Sequence, residues 1–199
     1  MTVRHKALGF VFKREDRREA DRVFTLFTYE FGKIEVFAKA IRKIDSKLKG
    51  GIEMFCISRL EFVQGKNKKT LVDAVLYKKF SRIHEIPEKA ILAQKVSWIL
   101  EDFIVGEQKD VGAWGVVVDF FTKLDQYSGS AASNILHEYF FWNLVAVLGH
   151  APELWQCATC RQVLTPGGLS FSYQEGGIIC KNCYTKIKEF LPVSSDAVK

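Results

Sequence analysis

Four cysteines carry the sharpest chemical signal in this sequence. They fall as Cys157-Ala-Thr-Cys160 and Cys180-Lys-Asn-Cys183, two C-x2-C pairs separated by 19 residues. A two-residue gap lets both thiolates of a pair reach one ion, and two pairs complete a tetrahedral shell of four sulfurs. The spacing predicts one Zn²⁺ in a closed structural site, since four thiolates leave no position for a reacting water. Disulfides are the competing use of such cysteines and belong to exported chains. The start, MTVRHKALGFVFKRED, has an apolar segment too short for a secretory core, so a cytoplasmic chain with reduced thiols is expected. Cys56 stands alone in an alternating segment and reads as a small buried hydrophobe.

The second signal is positive charge. Of 199 residues, 29 are Lys or Arg and 23 are Asp or Glu, a net of +6. Residues 1–80 hold 19 basic against 10 acidic residues, a net of +9; residues 81–155 hold 5 against 10, a net of −5; residues 156–199 hold 5 against 3, a net of +2. The first part presents three basic clusters. Lys13, Arg14, Arg17, Arg18 and Arg22 fall in the expected loop after the first strand. Lys39, Arg42, Lys43, Lys47 and Lys49 lie in KAIRKIDSKLKGG, which reads as a flexible positive loop. Lys66, Lys68 and Lys69 lie in a turn. A surplus of this size exceeds what solubility requires and points to nucleic acid. No base-reading motif accompanies it, so binding is expected to tolerate any sequence. Aromatics interleave with the charges at Phe12, Phe24, Phe27, Tyr29, Phe31 and Phe37; their alternation favours the core over base stacking.

Enzyme chemistry finds no foothold. There is no phosphate-binding glycine loop, no dinucleotide fingerprint and no nucleophile elbow. His5, His84, His137 and His150 are scattered without metal-ligand spacing. Glu101-Asp102 are helical neighbours that face apart, a poor acid/base pair. The most apolar stretch, YFFWNLVAVLG, is far short of the ~20 residues of a membrane-spanning helix, so no membrane partner is expected.

The elements that must position these residues change character near residue 80. Before it the chain reads as strands: residues 6–13, a hairpin of 23–29 and 34–38 turning at Gly32, and a second pair over 52–63 and 70–80. Five short strands in about 80 residues suit a small closed barrel. After it the periodicity is helical over 89–103, 114–124 and 133–148, with Ser133 as N-cap, Gly149 as stop and Ser128–Ser130 as a connection. Between the cysteine pairs, Gly167-Gly168 and Gly176-Gly177 flank residues 169–173, which suits a small β-hairpin.

Three ordered blocks resemble the RecO family of bacterial recombination mediators: EADRVFTLFT with Gly32-Lys33 and AKAIRK, then LGHAPELWQCATC, then GGLSFSYQEGGIIC. Ala40 departs from the pattern, standing where the family usually has glycine. The resemblance implies a multidomain α+β chain: an N-terminal OB-fold β-barrel (residues 1–80), a central helical domain (81–155) and a C-terminal four-cysteine zinc ribbon (156–199). It also implies binding of single- and double-stranded DNA and annealing of complementary strands. Its implied partners are RecR, the C-terminal tail of the single-stranded DNA-binding protein and, indirectly, RecA, at the nucleoid. The tail is acidic with an apolar end, so a cation beside an apolar pocket is needed; Lys95 and Lys123, both in predicted helices, are the candidates. The alternative is a zinc-stapled OB protein that binds RNA; the acidic centre favours a protein adaptor over a pure nucleic-acid binder.

Overall fold

The computed structural model describes residues 3–127, 132–185 and 189–194, and the Ser128–Ser130 connection lies outside them. The chain divides into two compact units, Met1–Asn143 and Leu144–Lys199.

In the first unit, β1 (Arg4–Arg17), β2 (Asp21–Thr28), β3 (Gly32–Ala38), β4 (Cys56–Gln64) and β5 (Lys69–Lys79) close into a barrel in the order β1-β2-β3-β5-β4. All neighbours are antiparallel except β3 and β5, which meet in parallel through Val36 opposite Lys69 and Phe37 opposite Thr70. Alternation decides what fills the barrel. Ile34, Val36 and Ala38 of β3 point inward beside Val11, Phe24, Leu26, Leu60, Phe62 and Leu71. β1 is longer than the expected 6–13 because it serves two partners. Arg4–Phe10 pair with β4 and Gly9–Arg17 with β2, and a bulge between Val11 and Lys13 bends the strand from one to the other. β4 begins at Cys56 and not at residue 52, because Phe55 turns to φ +54° and gives its N–H to the Val11 carbonyl (2.8 Å).

Residues 39–51 are more ordered than a flexible loop. Successive i→i+3 bonds build them: Lys43 N–H to Ala40 O, Ser46 to Lys43, Lys49 to Ser46 and Gly51 to Leu48. Ile41 and Ile52 insert into the barrel core and anchor both ends. Gly51 is required here, since a Cβ would lie 1.8 Å from the Ala74 carbonyl oxygen.

The outer face of the barrel carries a second apolar layer. α1 (Ser81–Glu85), α2 (Pro87–Phe103), α3 (Val111–Gln126) and α4 (Ala132–Val147) follow β5. Phe121 of α3 meets Phe10 of β1 at 4.2 Å between ring centres, and Phe55, Phe80 and Phe120 ring it at 5.1–6.1 Å. Trp114 reaches Phe27 at 6.0 Å. This layer holds the Val-rich segment 116–118 in a helix against its local strand preference, and Asp110 caps that helix by accepting from Ala113 N–H (2.8 Å). α4 starts at Ala132, so Ser133 lies inside its first turn and is not the N-cap. After α2, the loop 104–110 latches onto the β2–β3 turn. Lys33 N–H donates to Gly106 O (3.1 Å), and Gly32, at φ +70°, passes so close to Gln108 that a Cβ would sit 2.3 Å from its carbonyl oxygen.

In the second unit, Gly149 at φ +82° ends α4, and His150 N–H closes the turn on Val145 O (2.9 Å). β6 (Ser170–Ser172) and β7 (Gly177–Ile179) form the hairpin between the cysteine pairs, and β8 (Leu191–Pro192) adds a third strand beside β6. α5 (Lys181–Tyr184) carries the last cysteine. Among the described residues, no helix is long and apolar enough to cross a membrane.

Candidate nucleic-acid interface

A groove of about 710 Å³ runs over the outer face of β2 and β3. Its walls are the β1–β2 turn, with Arg17 and Arg18, and the β4–β5 turn, with Asn67, Lys68 and Lys69. Because Ile34, Val36 and Ala38 face the core, Lys33, Glu35 and Phe37 must face outward, and all three line the groove. Phe37 is half-buried there, and the Lys68 ammonium lies 4.0 Å above its ring centre. With Lys68 swung off the ring toward a phosphate, this aromatic face beside five cations can stack a base while the cations neutralise the backbone. Two acids temper the site: Glu35, and Glu107, which pairs with Lys69. Strands 2 and 3 with the turns after strands 1 and 4 are where OB folds take oligonucleotides.

A second groove of about 610 Å³ is lined by Lys13, Arg14, Arg22 and Lys49 above Phe12, Ile52, Met54, Phe55 and Ile83. Arg22 donates to Asp16 (2.7 Å) and holds that carboxyl below its usual value. Lys13 pairs with Glu101, which raises its pKa above the ordinary lysine value. Arg14 and Lys49 are exposed and make no ion pair among the described residues.

The three expected basic clusters therefore divide. Arg17, Arg18, Lys68 and Lys69 reach the first groove; Arg14, Arg22 and Lys49 reach the second. Lys39, Arg42, Lys43, Lys47 and Lys66 are exposed outside both, with Arg42 3.5 Å from Asp16. Lys33 is an addition that reading the segment 30–33 only as a turn overlooked. Of the aromatics expected in the core, Phe12, Phe24 and Phe27 are buried, but Tyr29, Phe31 and Phe37 are only half-buried, and Phe37 faces the groove because it alternates with the inward Val36 and Ala38.

The cations of the helical part differ in circumstance. Lys89 is buried, its pKa lowered by that burial, and it donates to Asp125 O (2.8 Å). Lys109 lies 4.6 Å above the Tyr29 ring. Lys123 is 2.6 Å from Asp119 and 4.3 Å above the Tyr139 ring, beside an apolar hollow lined by Ile135, Tyr139 and Trp142. Lys95 is exposed on α2 and makes no ion pair among the described residues, with Ile91 and Trp98, each 59% exposed, four and three residues away along the helix.

In the second unit the sulfurs of Cys157, Cys160, Cys180 and Cys183 all lie within 4.8 Å of one another and can hold a metal ion. Cys160 and Cys180 sulfurs are 3.9 Å apart. Thiolates bound tetrahedrally at about 2.3 Å stand about 3.8 Å apart, so the donor set fits zinc with little adjustment. Burial pushes the Cys157 thiol up, but backbone N–H groups, those of Cys160 and Cys180 foremost, outweigh it and bring its pKa to about 6; burial and the neighbouring sulfurs push Cys183 up to about 12. Arg161 takes φ +62° in the first knuckle, where its N–H returns to Cys157 O (2.8 Å). Glu153 bridges to Gly177, whose lack of a side chain is needed because a Cβ would meet the Glu153 carbonyl at 2.5 Å.

Two family models cover the chain: the N-terminal part of Recombination protein O over residues 1–80 and its C-terminal part over residues 84–199. The chain belongs to the RecO family. DNA repair protein RecO of Dehalococcoides mccartyi is 30% identical over 194 residues, covering 98% of this chain and 75% of that relative. The RecO of Roseiflexus sp. is 28% identical over 98% of this chain and 68% of its own length, and that of Desulforamulus reducens 26% identical over 98% and 75%. RecO membership, a DNA repair lineage, agrees with the barrel, the helical middle and the cysteine cluster. Ala40, where the resemblance leads one to expect glycine, takes φ +54°, a conformation that glycine adopts freely and alanine does not.

Proposed function

We propose that this RecO protein binds single- and double-stranded DNA sequence-tolerantly through the first groove. There it anneals complementary strands and, with RecR, helps RecA onto DNA coated by the single-stranded DNA-binding protein. It does so by binding and not by bond chemistry, in the cytoplasm at the nucleoid. The observation that carries the reading is Phe37 with Lys68 stacked above it, in a groove walled by Arg17, Arg18 and Lys69. The charge division supports a division of labour: residues 1–80 engage DNA, 81–155 engage proteins, and 156–199 are stapled by Zn²⁺ on Cys157, Cys160, Cys180 and Cys183.

For the coating protein's acidic, apolar-ended tail, Lys95 is the better of the two candidate cations. Its charge is unpaired among the described residues and Ile91 and Trp98 offer apolar surface, whereas Lys123 is already matched by Asp119.

The test is a salt titration of oligonucleotide affinity with Phe37→Ala and Lys68→Ala. Loss of stacking is expected to weaken binding by about 1–3 kcal/mol, and loss of the lysine to flatten the log–log salt slope by about 0.7. Unchanged affinity and slope in both would move the interface elsewhere. Annealing of bare and coated strands with Lys95→Glu then tests the foothold, which is lost only on coated DNA.

A further inference from the structure

The two basic grooves share no lining residue. The β1–β2 ribbon stands between them, and its pleat sorts its side chains: Arg22 turns to the second groove while Val23 and Thr25 turn to the first. The same pleat parts the side chains of β1, whose pairing with β2 is unbroken from Lys13 to Arg17: Arg14 lines the second groove and Arg17, three residues on, the first. Each groove has apolar surface below and cations along its edges. In the second, Arg14 and Lys49 come from different segments, β1 and the turn-built loop, and neither makes an ion pair among the described residues, although the Asp16 carboxylate feels the Arg14 charge and one acid, Glu53, also lines the groove. Small-ligand pockets converge a few polar groups on one point. Here the cations are spread along a trough, the arrangement that a repeating phosphate backbone meets.

We propose that the second groove, through Arg14, Arg22 and Lys49, holds the phosphodiester backbone of a second single strand, across the β1–β2 ribbon from the strand in the first groove. The inference rests on the first groove being a nucleic-acid site and adds a second site on the same chain. Two polyanions then lie either side of one ribbon of arginines, which lowers the repulsion that keeps them apart. One chain suffices to bring two strands together.

The experiment counts oligonucleotides per chain. The full chain is titrated at low salt with labelled oligo-dT of about 12 nucleotides, within the ~4–16 nucleotide site of an OB fold, and bound DNA per protein is read by sedimentation at saturation. Wild type is expected to bind two. Arg14→Glu with Lys49→Glu is expected to bind one, to keep the affinity of the remaining site within about twofold, and to slow annealing of bare complementary strands roughly tenfold, as loss of two phosphate contacts implies. The milder pair Arg14→Gln with Lys49→Gln reads the same quantities should charge reversal impair folding. Lys68→Glu with Arg18→Glu should also leave one strand bound, in the second groove. Saturation of wild type at one oligonucleotide, or retention of two by the Arg14/Lys49 variants, overturns the second site. Binding of none by wild type removes the first groove's assignment as well.

Discussion

Glu107, in the loop after α2, pairs with Lys69, the first residue of β5, at the mouth of the first groove. The lysine side chain is 13% exposed and the carboxylate 55%, so the acid covers the base from the solvent side. A carboxylate in this position stands where a phosphate oxygen would in the proposed complex, and a strand bound there would have to displace it.

Glu107→Gln is therefore expected to tighten oligonucleotide binding several-fold at low salt and to steepen the salt slope by about 0.7, since one more cation becomes available to phosphate. Fluorescence anisotropy across a salt series checks this. An affinity equal to that of wild type at every salt would show that the pair opens without cost.

Ala40 sits at φ +54° with its N–H held by the Asp21 carboxylate (2.8 Å). A left-handed alanine costs about 1–2 kcal/mol, partly offset in glycine by a more disordered unfolded chain. Ala40→Gly is expected to raise stability by about 0.5–1 kcal/mol, read as a shift of the urea midpoint at constant slope. No shift would mean that the loop already relaxes the strain.

Among the described residues, the buried cluster around the cysteines is Cys157, Ile179 and Cys183, with Ala158, Leu164, Cys180 and Tyr184 half-buried against it and Leu169 and Ile178 the other buried hydrophobics of the hairpin. So little apolar surface cannot hold such a module folded, and metal binding there is folding energy. Chelation, or Cys180→Ser, is expected to collapse amide protection at Ile178 and Ile179 while amides of β4 and β5 stay protected. Elemental analysis should give about one zinc per chain. Full retention of protection without metal would contradict the closed thiolate site.

Phe121 is fully buried against four other rings, whereas Trp98 is 59% exposed. Phe121→Ala is expected to cost about 3–5 kcal/mol and Trp98→Ala less than about 0.5 kcal/mol. Denaturant melts of the two variants separate the layer that joins barrel and helices from a surface side chain that is available to a partner.

Local pattern made much of this architecture readable. Alternation over residues 34–38 assigns Ile34, Val36 and Ala38 inward; the same count turns Phe37 outward, against the core placement expected of the aromatics as a group. The cysteine spacing forecasts a cluster that four sulfurs within 4.8 Å satisfy. What pattern could not supply was the partition of the arginines. Arg14, Arg17, Arg18 and Arg22 are one cluster along the chain, expected in a loop, and they part because β1 runs on to Arg17, β2 begins at Asp21 and the pleat of that ribbon sorts them. Nor does periodicity announce the turns of residues 39–51, which are held by backbone bonds and, at their ends, by Ile41 and Ile52 in the barrel core.

The barrel closes between β3 and β5 through only two facing residue pairs, the shortest seam among its strands. Phe37 lies on one lip of that seam and Lys68 beside the other. A strand of DNA stacked on the first and paired to the second would act as a clasp, fastening the joint that the fold itself ties least. Occupancy should then be felt as slower amide exchange at Val36 and Thr70 before it is felt anywhere else in the barrel.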